Sequence, residues 1–84
     1  MLFKLNVWDI QNFLKAVNGC DAPVYLVDAK GRYTNIKGNK NLQKALQNIY
    51  RKKYNTQKKM WIDLDIKNPS SYMDFIYRYG GYLS

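Results

Sequence analysis

The side chains best suited to chemistry are six aspartates: Asp9, Asp21, Asp28, Asp63, Asp65 and Asp74. Only Asp63 and Asp65 are close in sequence. Two apart on a strand, they share a face. Such a pair can bind a cation or divide acid–base work. No third ligand lies nearby in sequence, and the simpler role is to solvate an open sheet face and pair with lysines on the neighbouring strand. The chain has no His and no Glu. The commonest general base and the commonest metal ligand are therefore missing. The single Cys20 cannot form an internal disulfide, which favours a reducing compartment, and it reads as a small buried filler. The expectation is no catalytic residue, no metal and no cofactor.

The stronger signal is charge. Between Ala29 and Trp61 there is no acid, yet ten of the fourteen Lys and Arg lie there. The formal charge of +8 is concentrated in mid-chain. Such a segment serves either as a solvated face or as a surface for something acidic. Tyr33, Tyr50, Tyr54 and Trp61 interleave with the cations, and rings beside cations can stack on unpaired bases. The candidate binding surface is Arg32, Lys37, Lys44, Arg51, Lys52, Lys53, Tyr54, Lys58, Lys59 and Trp61. Lys30-Gly31-Arg32-Tyr33 only faintly matches an RNA-recognition strand, because one aromatic stands where alternate aromatics are required.

The elements that must position these residues follow from periodicity. Phe3, Leu5 and Val7 alternate with Lys4 and Asn6 in a first strand. Asp9 caps a helix whose stripe is Ile10, Phe13, Leu14 and Val17, and Gly19 is expected to end it in a left-handed cap. Val24 to Asp28 and Arg32 to Lys37 read as a hairpin turned at Ala29-Lys30-Gly31. Leu42, Ala45, Leu46 and Ile49 predict a second helix from about Asn41 to Lys53, with Arg51 to Lys53 in its last turn. Met60 to Ile66 alternates, with Trp61, Asp63 and Asp65 outward. Asn68-Pro69 starts a third helix with the stripe Tyr72, Phe75, Ile76 and Tyr79, stopped by Gly80-Gly81. The expected fold is α+β in the order βαββαβα: one domain over residues 1–84, a four-stranded antiparallel sheet with three helices on one face. No apolar run is long enough to span a bilayer and no signal peptide opens the chain, so a cytoplasmic protein is expected.

This order and length resemble the histidine phosphocarrier (HPr-type) family of small open-faced domains. The resemblance runs through Asn12-Phe13-Leu14-Lys15-Ala16-Val17-Asn18-Gly19, Val24-Tyr25-Leu26-Val27, Asp28-Ala29-Lys30-Gly31, and Leu42 with Leu46 after Ile36-Lys37. It covers most of the chain in pattern and spacing, with little identity. Short Firmicutes proteins of HPr-like type show a similar Phe-Leu-Lys-Ala-Val-Asn opening. The family's phosphoacceptor His sits in a Gly-Leu-His-x-Arg-Pro loop, where this chain has only Trp8-Asp9. Its regulatory Lys-Ser pair falls at Lys37-Gly38, which offers no hydroxyl. The resemblance therefore implies a docking scaffold and no phosphocarrier activity.

The expected function is a non-catalytic protein-binding module, with the basic face for steering and Trp61 and exposed tyrosines as anchors. A phage or mobile-element inhibitor of a host nucleic-acid enzyme is one form of it, and a composition rich in Lys, Asn, Tyr and Ile fits an AT-rich bacterial or phage genome. The alternative is a small basic nucleic-acid-binding protein that uses residues 30–59. The expected partner is an acidic protein surface or nucleic acid, with no membrane and no small-molecule substrate.

Overall fold

The structure, a computed structural model, describes the backbone of residues 1–54 and 60–80 and the side chains of residues 1–52 and 60–80. Its elements are β1 (Leu2–Val7), α1 (Ile10–Gly19), β2 (Tyr25–Val27), β3 (Tyr33–Asn35), α2 (Lys40–Ile49), a π-helical turn (Tyr50–Tyr54), β4 (Met60–Asp65) and α3 (Pro69–Gly80). The α+β class, the antiparallel four-stranded sheet and the three helices agree with the pattern. The sheet order is β1-β4-β2-β3, so β4 is inserted between the first two strands.

Registers place the two faces. Leu2, Lys4 and Asn6 lie opposite Asp65, Asp63 and Trp61, while Tyr25 and Val27 lie opposite Asp65 and Asp63 on the other side. Tyr33 and Asn35 continue these rows onto β3. The alternate residues, Phe3, Leu5, Val7, Met60, Ile62, Leu64 and Leu26, face the core. They pack in one cluster with Ile10, Phe13, Leu14 and Val17 of α1, Leu46 of α2, and Phe75 and Tyr79 of α3. Residues spaced at 3.6 on each helix thus meet residues spaced at 2 on each strand.

Local ends explain where elements stop. Asp9 caps α1 by accepting the Asn12 N–H at 3.2 Å, as expected. Gly19 does not adopt the left-handed cap. It is the last residue of α1, and extended Cys20 closes the helix by donating its N–H to the Val17 carbonyl. A Cβ at Gly19 would come 3.2 Å from Arg78 Nη1, so the guanidinium end of that α3 side chain lies against the bare glycine. At the hairpin tip Gly31 does take a left-handed φ of 79°. Asp28 Oδ1 accepts the N–H groups of Lys30 and Arg32 at 2.9 Å, and Oδ2 accepts from Arg32 Nε at 2.7 Å.

β2 and β3 are shorter than the expected Val24–Asp28 and Arg32–Lys37. Backbone bonds still join Ile36 N–H to the Val24 carbonyl at 2.8 Å and Asp28 N–H to the Arg32 carbonyl at 3.0 Å, but the Asn35 side chain accepts from Val24 N at 3.3 Å and Lys37 N at 3.0 Å in place of a backbone carbonyl. The second helix also departs from the expected 41–53. It begins at Lys40, capped by Asn39, and gives way to a π turn at Tyr50, whose phenol donates to the Trp8 carbonyl at 2.7 Å. Ala45 and Ile49, expected inward, are exposed, and Leu46 alone is buried. α2 meets the core along a narrow line, so only Leu46 and the half-buried Leu42 and Tyr50 reach it.

Candidate binding surfaces

Two surfaces result, and they divide the residues that composition groups together. The first is the sheet face away from the core. Its large apolar side chains are Leu2, Trp61 and Tyr33, exposed by 61%, 57% and 47%. They surround a cross-strand ion pair, Lys4 Nζ to Asp63 at 3.6 Å. Half-buried Tyr25 meets Tyr33 edge-on, with ring centroids 6.0 Å apart. Lys67 Nζ stands 5.0 Å over the Tyr33 ring, within cation–π range. Beside Trp61 in the register, Asn6 keeps its Oδ1 buried with no hydrogen-bond partner among the described residues.

Asp65 corrects the sequence expectation. It points to this outer face but is 4% exposed. The Lys67 ammonium covers it at 2.8 Å and the Met1 α-ammonium at 3.0 Å. The same α-ammonium also donates to the Ile66 carbonyl. The Lys67 hydrogen bond, followed by that of the α-ammonium, holds the Asp65 carboxyl below its ordinary range despite the opposing effect of burial. Asp63 and Asp65 are each matched to a separate cation. Among the described residues, no group of three or more His, Cys, Asp or Glu is placed to hold a metal ion.

The second surface is the exposed side of α2. Lys40, Lys44, Arg51 and Lys52 lie here, and Lys40, Gln43, Lys44 and Gln47 line a shallow open depression. Gln43 is held in place, donating to Asn18 Oδ1 at 2.9 Å and to the Ile36 carbonyl at 2.7 Å. The acids lie elsewhere. Asp9 caps α1, Asp21 accepts from the buried Ser71 hydroxyl, and Asp28, Asp63, Asp65 and Asp74 pair with Arg32, Lys4, Lys67 and Arg78. All six acids of the chain are thus engaged away from α2.

Of the candidate residues, Trp61 stands on the open sheet face and Arg32 at the hairpin tip, already paired with Asp28. Lys37 follows β3, and Lys44, Arg51 and Lys52 belong to α2 and its π turn. Lys58 and Lys59 lie outside the described residues, as do the side chains of Lys53 and Tyr54. The structure therefore separates Trp61 from the α2 cations, whose helix packs through Leu46 into the core on the other side of the sheet. Composition missed Leu2 and Lys4. Alternation along β1 places both outward, but only the β1–β4 register brings them beside Asp65 and Asp63.

Among the described residues, no helix is long and apolar enough to cross a membrane. No protein-family model, curated protein or solved structure matches the chain.

Proposed function

We propose that the protein is a non-catalytic protein-docking module. It is an HPr-like open-faced sandwich, with three helices on one side of the sheet and the other side left for a partner. The observation that carries this reading is the open face itself, where Leu2, Trp61 and Tyr33 remain exposed around a Lys4–Asp63 pair. Large apolar side chains grouped on a rigid sheet are costly to leave in water and mark contact surfaces. Trp and Tyr dominate interface energies because a ring buries much area at little entropic cost. The net charge of +8 favours an acidic partner by speeding encounter, while Trp61 supplies the contact energy. The one cysteine, Cys20, is buried and unbonded to another sulfur, in keeping with a cytoplasmic setting.

The test compares baits. Wild type and Trp61→Ala are immobilised, exposed to lysate of the source cell, and the retained proteins are quantified. Trp61 is outside the core, so the variant keeps its fold and circular dichroism checks that. A partner retained by wild type and reduced at least about 30-fold on Trp61→Ala supports docking through this face, since a central Trp contributes about 2 kcal/mol or more. Equal retention of every protein by both baits contradicts it.

A further inference from the structure

The cations of α2 remain unmatched by any acid among the described residues. This surface is separate from the sheet face and goes beyond the docking reading. Lys44 and Asn48 each lie two residues from buried Leu46, hence about 160° around the helix from it. They point straight out, and Asn41 joins them at i−3 from Lys44. Lys40 and Gln47 flank this line on one side, and Ala45 and Ile49 flank it on the other. Arg51 and Lys52 extend the charge into the π turn. The exposed arc holds ammonium groups, uncharged amides and two apolar side chains, small Ala45 and the larger Ile49. All six aspartates lie elsewhere.

We infer that α2 is a duplex-DNA-reading helix that enters the major groove at A·T-rich sequence. A helix with side chains is about 10–12 Å across and the B-form major groove is about 12 Å wide. α2 has the exposure to enter it because only a narrow line of its circumference meets the core. Asn41 and Asn48 present the donor–acceptor pair that matches adenine N7 and N6. Ala45 and Ile49 suit the thymine methyl group. Lys40, Arg51 and Lys52 border the line and reach phosphates on the groove walls, where displaced counterions drive binding. Duplex RNA is a poor fit, because its major groove is too deep and narrow for side chains to read.

The test uses the full chain and fluorescence anisotropy with three labelled 20-base-pair probes: A·T-rich DNA, G·C-rich DNA, and RNA matching the first. At about 0.15 M salt, binding should be strongest to A·T-rich DNA. Lys40→Ala and Arg51→Ala should each flatten the log–log salt slope by about 0.9, one phosphate contact apiece. Asn48→Ala should weaken A·T-rich binding about 10-fold and leave G·C-rich binding unchanged. Trp61→Ala should leave all three affinities unchanged, so failure of the sheet-face reading and failure of this one are distinguishable. No DNA binding at this salt overturns the inference. Equal affinity for all three probes, or an Asn48→Ala variant that binds A·T-rich DNA like wild type, overturns base reading and leaves only charge attraction.

Discussion

Removing one oxygen atom, by Tyr79→Phe, should destabilise the fold by about 2 kcal/mol. Tyr79 is buried at the end of α3, where its ring lies tilted against Trp8 with centroids 4.2 Å apart and meets Phe13 edge-on. Its hydroxyl accepts the Trp8 N–H at 2.8 Å and the Asp9 N–H at 3.4 Å, and donates to the Asn6 carbonyl at 3.2 Å. It therefore ties α3 to the junction between β1 and α1. Phenylalanine keeps the ring contacts and removes only these bonds. The partly buried Trp8 N–H loses its one short acceptor, which costs about 1–3 kcal/mol where the donor is shielded from water. The 3.4 Å contact adds little, being at the limit of a hydrogen bond. For a domain of this size, about 2 kcal/mol lowers Tm by roughly 10 °C. Exposed Tyr77→Phe is the control and should shift stability by less than about 0.5 kcal/mol. Burial raises the Tyr79 phenol to about 12. Because this folded value exceeds the ordinary 10.0, the unfolded chain loses the proton first as pH rises. The stability contribution is intact below pH 10 and is lost as pH climbs toward 12. Wild type should thus lose stability more steeply over that window than Tyr79→Phe. Urea unfolding at neutral and alkaline pH reads both effects. A Tm change under about 3 °C with unchanged ring packing, or parallel alkaline losses, would refute the reasoning.

Other predictions follow from the same contacts. Asp65→Asn should cost about 2 kcal/mol at neutral pH, because each carboxylate oxygen accepts from a different ammonium and asparagine keeps only one acceptor oxygen, so one ammonium loses its partner and meets an amide NH2 while both keep access to water. Since the folded carboxyl is held below its ordinary 3.8, wild-type stability should fall as pH drops below about that value. The asparagine variant should lose less over the same range, and urea midpoints at pH 6 and pH 3 make the comparison. Gly31→Ala should destabilise by about 1–2 kcal/mol, since nothing crowds the site and the cost is the left-handed backbone alone. Gly19→Ala presses instead on the flexible Arg78 side chain, so thermal melts should show a smaller loss.

Periodicity made much of this fold readable. Residues 60–66 alternate so regularly that the direction of Trp61 was evident, and α1 and α3 each show one apolar stripe that the core receives. The departures occur where contacts outside the local pattern decide. Gly19 looks like a left-handed helix stop, yet extended Cys20 closes the helix and Arg78, far along the chain, lies against the glycine. Asp65 looks solvated, yet Lys67 and the Met1 α-ammonium close over it. Ala45 and Ile49 fit a helical stripe, but the narrow contact of α2 leaves them outside. The candidate surface was legible in residue type and not in grouping. The charge run shows that cations are close in sequence, whereas strand register and helix direction decide which share a face. Here they send Trp61 and the α2 cations to different surfaces.

The most direct test of the docking reading is a footprint. A partner recovered by the wild-type bait is purified and added to isotopically labelled protein, and the amide and indole resonances are followed by NMR. The account predicts that perturbations concentrate on Leu2, Lys4, Tyr33 and the Trp61 indole, and that α2 is spared. A footprint confined to α2 or to the outer face of α3, with the Trp61 indole unmoved, would contradict it.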